Sequence, residues 1–210
     1  MEQWLPDYDS CRLFALNLFT FVINPFTSEA YFDYDEFKRC AYFQQRLSDT
    51  LVDLEIEYVN RIISKIKNDP QPEEIKITEL NLWNKVIKVA QEGRRSGNGF
   101  TALGDMLAAL NMKYDSDIAI KTIEKVCFEK MHSELQCSID LAILRGSFPL
   151  HDFKKEYFYD INYEILGKNE FYQFILNKYR DKVIRMGTYG RRNLSFSTVA
   201  PTGTVNKFAA

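Results

Sequence analysis

The 210-residue sequence is poor in metal ligands: two histidines and four cysteines (Cys11, Cys40, Cys127, Cys137), with no Cys-x-x-Cys. His132 and His151 have no partner at zinc-ligand spacing, which argues against a structural zinc site. Four scattered cysteines are also too few for a disulfide-stapled secreted domain, so the expectation is reduced, mostly buried thiols. Neither charge sign is in excess. A net charge of -2 and a pI near 5.8 argue against a general nucleic-acid binder, which needs a basic face. No apolar run reaches the roughly 18 residues that span a bilayer. The opening MEQWLPDYDS lacks the basic-then-apolar pattern of a signal peptide. The expectation is a soluble, cytoplasmic chain with neither membrane nor nucleic acid as partner.

What is present is enough apolar sequence, 46% of residues, to bury one sizeable core. That suits one domain, or one large piece of a bigger one. Residues 10–23, SCRLFALNLFTFVI, are apolar on both alternating faces, which predicts a strand covered on both sides or a buried helix. Asn24-Pro25 ends the run. Phe37, Ala41, Leu47, Leu51, Leu54, Ile62 and Ile66 recur at helical spacing over 35–67, and Asp69, Pro70 and Pro72 stop that helix. A second helix is predicted over 72–91, closed by Gly93. The glycine-dense stretch 93–99 then leads into a short Ala/Leu-rich helix. Ser116 reads as the N-cap of a long helix over 117–145, and another helix is predicted over 169–186, ending at Gly187. NLSFSTV (193–199) alternates like a strand and runs into Ala-Pro-Thr-Gly-Thr (200–204). There is no internal repeat, low-complexity segment or flexible linker.

Taken singly, the features that could carry chemistry have ordinary readings. Gly97-Asn-Gly99 as a turn before a helix could hold an anion on backbone N–H groups, or simply start the helix. Arg94, Arg95, Arg191 and Arg192 form two Gly-Arg-Arg units of the kind that more often serve ion pairs than ligands. A lone cysteine such as Cys11 is usually a small hydrophobe. The Pro-Thr-Gly-Thr turn combines two hydroxyls with a glycine that lets N–H groups converge, a cradle suited to phosphate or an ordinary turn.

Taken in order, these residues resemble a family. Glu2-Gln-Trp-Leu-Pro-Asp-Tyr-Asp-Ser-Cys-Arg-Leu13, Asn17-Leu18, Asn24-Pro-Phe-Thr27, Gly93 to Asp105, Tyr114-Asp-Ser116, Gly190-Arg-Arg-Asn193 and Ser197 to Thr204 are together similar to the ribonucleotide reductase catalytic subunit. The resemblance is closest to the adenosylcobalamin-dependent, class II ribonucleoside-diphosphate reductases, and it runs to about Val205. It implies an α/β fold: a helix-rich partial section, residues 1–210, of a ten-stranded α/β barrel. That section would start just after the expected radical cysteine and end just after the phosphate-binding loop. Asn98 stands where the family usually has an apolar residue, and Asn206-Lys-Phe-Ala-Ala departs from the family downstream.

The resemblance also implies roles. The family's finger loop carries Asn-x-Cys-x-Glu, whose cysteine becomes a thiyl radical that abstracts the ribose 3′-hydrogen. Glu2 matches that glutamate, the general base at the 3′-hydroxyl. The asparagine and radical cysteine would lie just upstream of residue 1, so the chain alone is expected to be inactive. Cys11 resembles one of two thiols that reduce the 2′-carbon and end as a disulfide. Pro201, Thr202, Gly203, Thr204 and Val205 resemble the loop that holds the substrate's phosphates. The implied partners are a ribonucleoside diphosphate or triphosphate, a complementary reductase segment, a thioredoxin-like reductant and a second copy in a homodimer; the implied cofactor is adenosylcobalamin. Two alternatives stand beside this reading: a large-subunit fragment of the iron-dependent (class I) reductases, and a non-catalytic helical binding module derived from a reductase.

Overall fold

The computed structural model describes residues 3–152 and 177–201. Strand β1 (Leu13–Asn17) leads through a 3-10 turn (Leu18–Phe21) to a small antiparallel pair, β2 (Val22–Ile23) with β3 (Tyr31–Phe32). Helices α1 (Tyr34–Asn68) and α2 (Glu73–Gly93) follow, then strand β4 (Gly97–Thr101) and the short helix α3 (Leu103–Ala109). The long helix α4 (Asp117–Arg145) and helix α5 (Arg180–Tyr189) complete the described elements.

β1 and β4 pair in parallel, Leu13 opposite Gly97 and Asn17 opposite Thr101. On the other side of β4 the extended segment Ser195–Thr198 runs parallel as well. Ser96 N–H and Asn98 N–H donate to the carbonyls of Ser195 and Phe196 at 3.0 and 2.7 Å, and Thr198 N–H donates to that of Asn98 at 2.8 Å. The described sheet thus has β4 at its centre. α1 and α4 pack on each other behind it, and the Gln44 amide on α1 donates to the carbonyls of Phe14 and Gly99 at 2.7 and 3.1 Å. One carboxamide therefore ties the helix to both strands.

The helix boundaries follow from their caps. Asp33 accepts from the N–H groups of Asp35 and Glu36, and Ser116 Oγ from that of Ala119, so both long helices start on side-chain oxygens, as expected for Ser116. α2 runs to Gly93, and it is Arg94, φ +46°, that takes the left-handed position. Gly93 serves another need: a Cβ there would lie 2.4 Å from a guanidinium nitrogen of Arg95.

Several expectations are corrected. The 10–23 run is one short strand, a turn and a second strand, with β1 half-exposed and paired on one side only among the described residues. Gly97–Gly99 is not a turn before a helix but the start of the central strand, and its N–H groups at 97 and 98 are taken by Arg12 and Phe196 carbonyls. α5 passes through Gly187 and ends before Gly190; residues 169–176 of the predicted helix lie outside the described residues. Only Cys137 is fully buried, Cys11 and Cys40 are half-buried and Cys127 is exposed. On α1, Leu47, Leu51 and Leu54 face outward with Phe43 and Tyr58, whereas Gln44, Gln45, Ser48 and Asp49 face the sheet.

Two interiors result. An apolar one gathers Leu18, Phe21, Phe32, Phe37, Met106 and Leu107, with Phe37 edge-on to Phe21 and Phe32 at 5.2 and 5.3 Å. A polar one lies behind β4.

Candidate functional site

Side chains of a strand alternate between faces, so Gly97 and Gly99 share one face of β4 and Asn98 points to the other. Cys11, just before β1, covers the glycine face. A Cβ on Gly97 would lie 2.2 Å from Cys11 Sγ, 2.9 Å from Leu13 Cδ2 and 3.4 Å from Thr198 Cγ2. The thiol therefore rests directly over a residue that has to lack a side chain. A Cβ on Gly99 would meet Thr198 O at 3.4 Å and Ala200 N at 3.9 Å. The glycine face, buried under Leu13 and Thr198, thus lies between the Cys11 thiol and the backbone that enters the predicted phosphate turn. Pro201 is exposed at the end of the described segment; Glu2, Thr202, Gly203, Thr204 and Val205 lie outside the described residues.

The opposite face of β4 is closed by a buried hydrogen-bond network. Asn98, fully buried, accepts a short hydrogen bond from Ser48 Oγ and donates to Gln45 Oε1 at 2.6 Å. Gln45 donates to Asn193 Oδ1 at 2.7 Å, and Ser138 Oγ donates to the same atom at 3.0 Å. Asn193 in turn donates to Asp49 Oδ1 and to the Arg94 carbonyl, each at 3.0 Å. The polar residue at 98 is therefore accommodated by polar residues on α1, not by a rearranged turn.

The Gly-Arg-Arg units are structural. Arg94 donates to Asp49 Oδ1 at 2.8 Å and Asp53 Oδ1 at 2.7 Å, and Arg192 Nε lies 3.5 Å from Asp49 Oδ2. Arg192 also donates to the Arg145 and Gly146 carbonyls that close α4. Arg95 pairs with Asp9 at 2.6 Å, and Arg12 with Asp9 at 3.1 Å and Glu55 at 2.5 Å. These pairs pin Asp9–Arg12, and Cys11 between them, to the start of β4. Arg191 donates to the Leu194 carbonyl at 2.6 Å beneath the Phe148 ring.

At the far side of the central strand Lys130, on α4, is buried. Its Nζ donates to the Asn98 carbonyl and Ser197 Oγ, both at 2.8 Å, and lies 2.7 Å from the Glu134 carboxylate. Burial pushes Glu134 up to about 7, against the opposing pull of Lys130. Burial likewise pushes the Cys137 thiol up to about 12 and raises that of Cys40, where Glu36 adds to it. Both are protonated packing thiols, which matches the role expected of them.

Among residues the sequence did not single out, Gln3 has the most contacts to the site. It donates to the Ser96 carbonyl at 2.5 Å, and its Oε1 accepts from Cys11 Sγ at 3.6 Å and Ser195 Oγ at 3.3 Å. Asp49 and Asn193 were missed as well. Asp49 had a signal: it belongs to a polar set, Gln44, Gln45, Ser48 and Asp49, lying on one helical face between Ala41 and Val52.

A parallel α/β layer with helices behind it, a thiol over a glycine face and, in place of the strand expected over 193–199, an extended segment joined to β4 by a single bridge at Ser197 is the kind of section an α/β-barrel enzyme supplies. The family model described as the ribonucleotide reductase barrel domain matches residues 1–209. The chain belongs to that family, and with it go a ribonucleotide reductase role and a nucleotide substrate. No helix among the described residues is long and apolar enough to cross a membrane.

Proposed function

We propose that this chain supplies part of the reducing site of an adenosylcobalamin-dependent ribonucleotide reductase acting on a ribonucleoside diphosphate or triphosphate. Cys11 is one of two thiols that provide the electrons. Both S–H bonds break and an S–S bond forms, the ribose 2′-hydroxyl leaves as water, and the 2′-carbon gains hydrogen. A thioredoxin-like protein then reduces the disulfide. Glu2 takes the 3′-hydroxyl proton, and Pro201, Thr202, Gly203, Thr204 and Val205 bind the phosphates through hydroxyl and backbone donors.

The observation that supports this reading is the glycine face of β4, where the Cys11 thiol packs at Gly97 and the Ala200 backbone lies at Gly99. Two residues of extended chain, Gly97 to Gly99, span about 7 Å. That is comparable with the reach from a ribose carbon to its 5′-phosphate. The thiol and the segment entering Pro201 are thus spaced to meet the sugar and the phosphates of one nucleotide. The buried pairs of Arg12 and Arg95 hold the thiol there without taking part.

Adenosylcobalamin belongs to this proposal for the complete enzyme. The cavity among Lys121, Glu124, Lys125, Phe128 and Lys178 holds about 200 Å³ and does not fit a corrin. No step above runs through the cofactor. None of the four cysteines stands in an Asn-x-Cys, and in this reading a complementary reductase segment brings the hydrogen-abstracting thiol, with a homodimer as the assembled form.

The test is a reductase assembled from this chain and that complementary segment, assayed for deoxynucleotide formation. Cys11→Ser stops turnover while leaving nucleotide affinity intact, and Glu2→Gln slows the reaction by about 10²–10⁴-fold. Wild-type turnover in Cys11→Ser overturns the reading.

A further inference from the structure

We propose that Gln3 is a positioning residue for Cys11, holding the thiol hydrogen on a fixed, neutral acceptor. The proposal rests on the reading of Cys11 as a reducing thiol.

The orientation of the Gln3 carboxamide follows from its partners. A backbone carbonyl can only accept, so the group 2.5 Å from the Ser96 carbonyl is the Gln3 amide nitrogen. The carbonyl end, Oε1, is thereby turned toward Cys11 Sγ at 3.6 Å and Ser195 Oγ at 3.3 Å. Both anchors belong to the first rung of the sheet, where Ser96 N–H donates to the Ser195 carbonyl at 3.0 Å. The acceptor is thus placed by β4 and the segment beside it, independently of Cys11, and the thiol aligns to it.

The chemistry of the acceptor matters. An amide oxygen accepts from S–H but does not take the proton, and it offers nothing to a thiolate. A hydrogen bond made by the neutral form favours that form. Cys11 is therefore kept as a thiol, with both its hydrogen and its electrons in place. Gly97 beneath it leaves the sulfur the room this contact needs.

The experiment uses the intact chain and iodoacetamide at one fixed pH. Trypsin cuts after Arg12, so the peptide 1–12 carries Cys11 as its sole cysteine and reports its alkylation by mass spectrometry. Gln3→Met keeps the length of the side chain but removes the acceptor, and alkylation speeds up by about two- to tenfold. Gln3→Glu puts a negative charge beside the sulfur, which opposes the thiolate, and alkylation slows. Residue 3 lies outside every helix and strand, and far-ultraviolet circular dichroism matching wild type checks that both variants fold. A terminal segment that had merely loosened would speed alkylation in both. A Gln3→Met rate at or below wild type, or a Gln3→Glu rate at or above it, overturns the proposal. Because alkylation does not depend on catalysis, the opposite rate changes can stand even if Cys11→Ser leaves reductase turnover intact. That combination would remove the reductant reading while keeping the contact.

Discussion

The apolar interior around Phe37 and the polar interior around Asp49 lie along the same helix, α1, and are held together by different physics. Around Phe37, contacts among Phe21, Phe32, Met106 and Leu107 are non-directional, and burial of apolar area is what stabilises them. Around Asp49, the contacts are directional: Arg94 and Asn193 donate to one carboxylate oxygen, and the Arg145 and Arg192 charges lie near the other. The first region holds elements together. The second fixes which residue of β4 faces which residue of α1, and so sets the glycine face away from α1, beneath Cys11.

The difference is sharpest for substitutions that preserve volume. Asp49→Asn leaves shape nearly unchanged but removes the fully buried charge that Arg94, Arg145 and Arg192 face, leaving Arg94 only the half-exposed Asp53, and is expected to cost about 3 kcal/mol in urea unfolding. Leu107→Met, a comparable change in the apolar region, should stay below about 1.5 kcal/mol. Equal costs for the two would erase the distinction.

The polar interior should also respond to pH where the apolar one does not. Glu134 titrates near 7 in the fold, above the 4.5 of an ordinary glutamate. Between those values the unfolded chain has released the proton and the folded chain has not, so stability falls as pH rises through that window. Thermal melts from pH 5 to 7.5 should show the decline. Glu134→Gln should flatten it, while lowering stability overall because Lys130 loses its partner. An unchanged slope in the variant would assign the titration to another group.

Two glycines bracket the remaining effects, the smaller of them at Gly104. Gly97→Ala should cost about 1–3 kcal/mol, since its Cβ would lie 2.2 Å from Cys11 Sγ and 2.9 Å from Leu13. Gly104, in α3, has no neighbouring atom within 4 Å of the position a Cβ would take, and should gain roughly 0.5–1 kcal/mol on change to Ala. Similar denaturation midpoints for the two variants would mean that the glycine face of β4 has slack.

Much of the helical frame was legible because caps are local. Ser116 and the run to Arg145 could be read from a dozen residues at either end. The buried face of α1 was not. Apolar spacing at Leu47, Leu51 and Leu54 marked a stripe that lies outward, while the face against the sheet carries Gln44, Gln45, Ser48 and Asp49. Hydrophobic periodicity cannot register a polar interior, whose partners (Asn98, Arg94, Asn193) are far away in the chain. Gly97-Asn-Gly99 misled for the same reason, since glycines that suggest a turn are here required by the sulfur above the strand. For the site, collinear motifs identified the family, which the match over residues 1–209 establishes. They did not mark Gln3, whose role depends on residues 93 and 192 positions away.

The Asn193 side chain has a consequence for how the molecule is made. Its partners Gln45, Asp49 and Ser138 precede it by 148, 144 and 55 residues. Contacts of such separation form late, because the intervening loop has to close before they stabilise anything. On a ribosome, α1, α2 and α4 are complete while the residue that joins them is still unsynthesised, and Asp49 and Gln45 wait with polar groups unsatisfied. Asn193 thus acts as a keystone inserted after the helices it joins, and a nascent chain stalled before residue 193 lacks that internal closure.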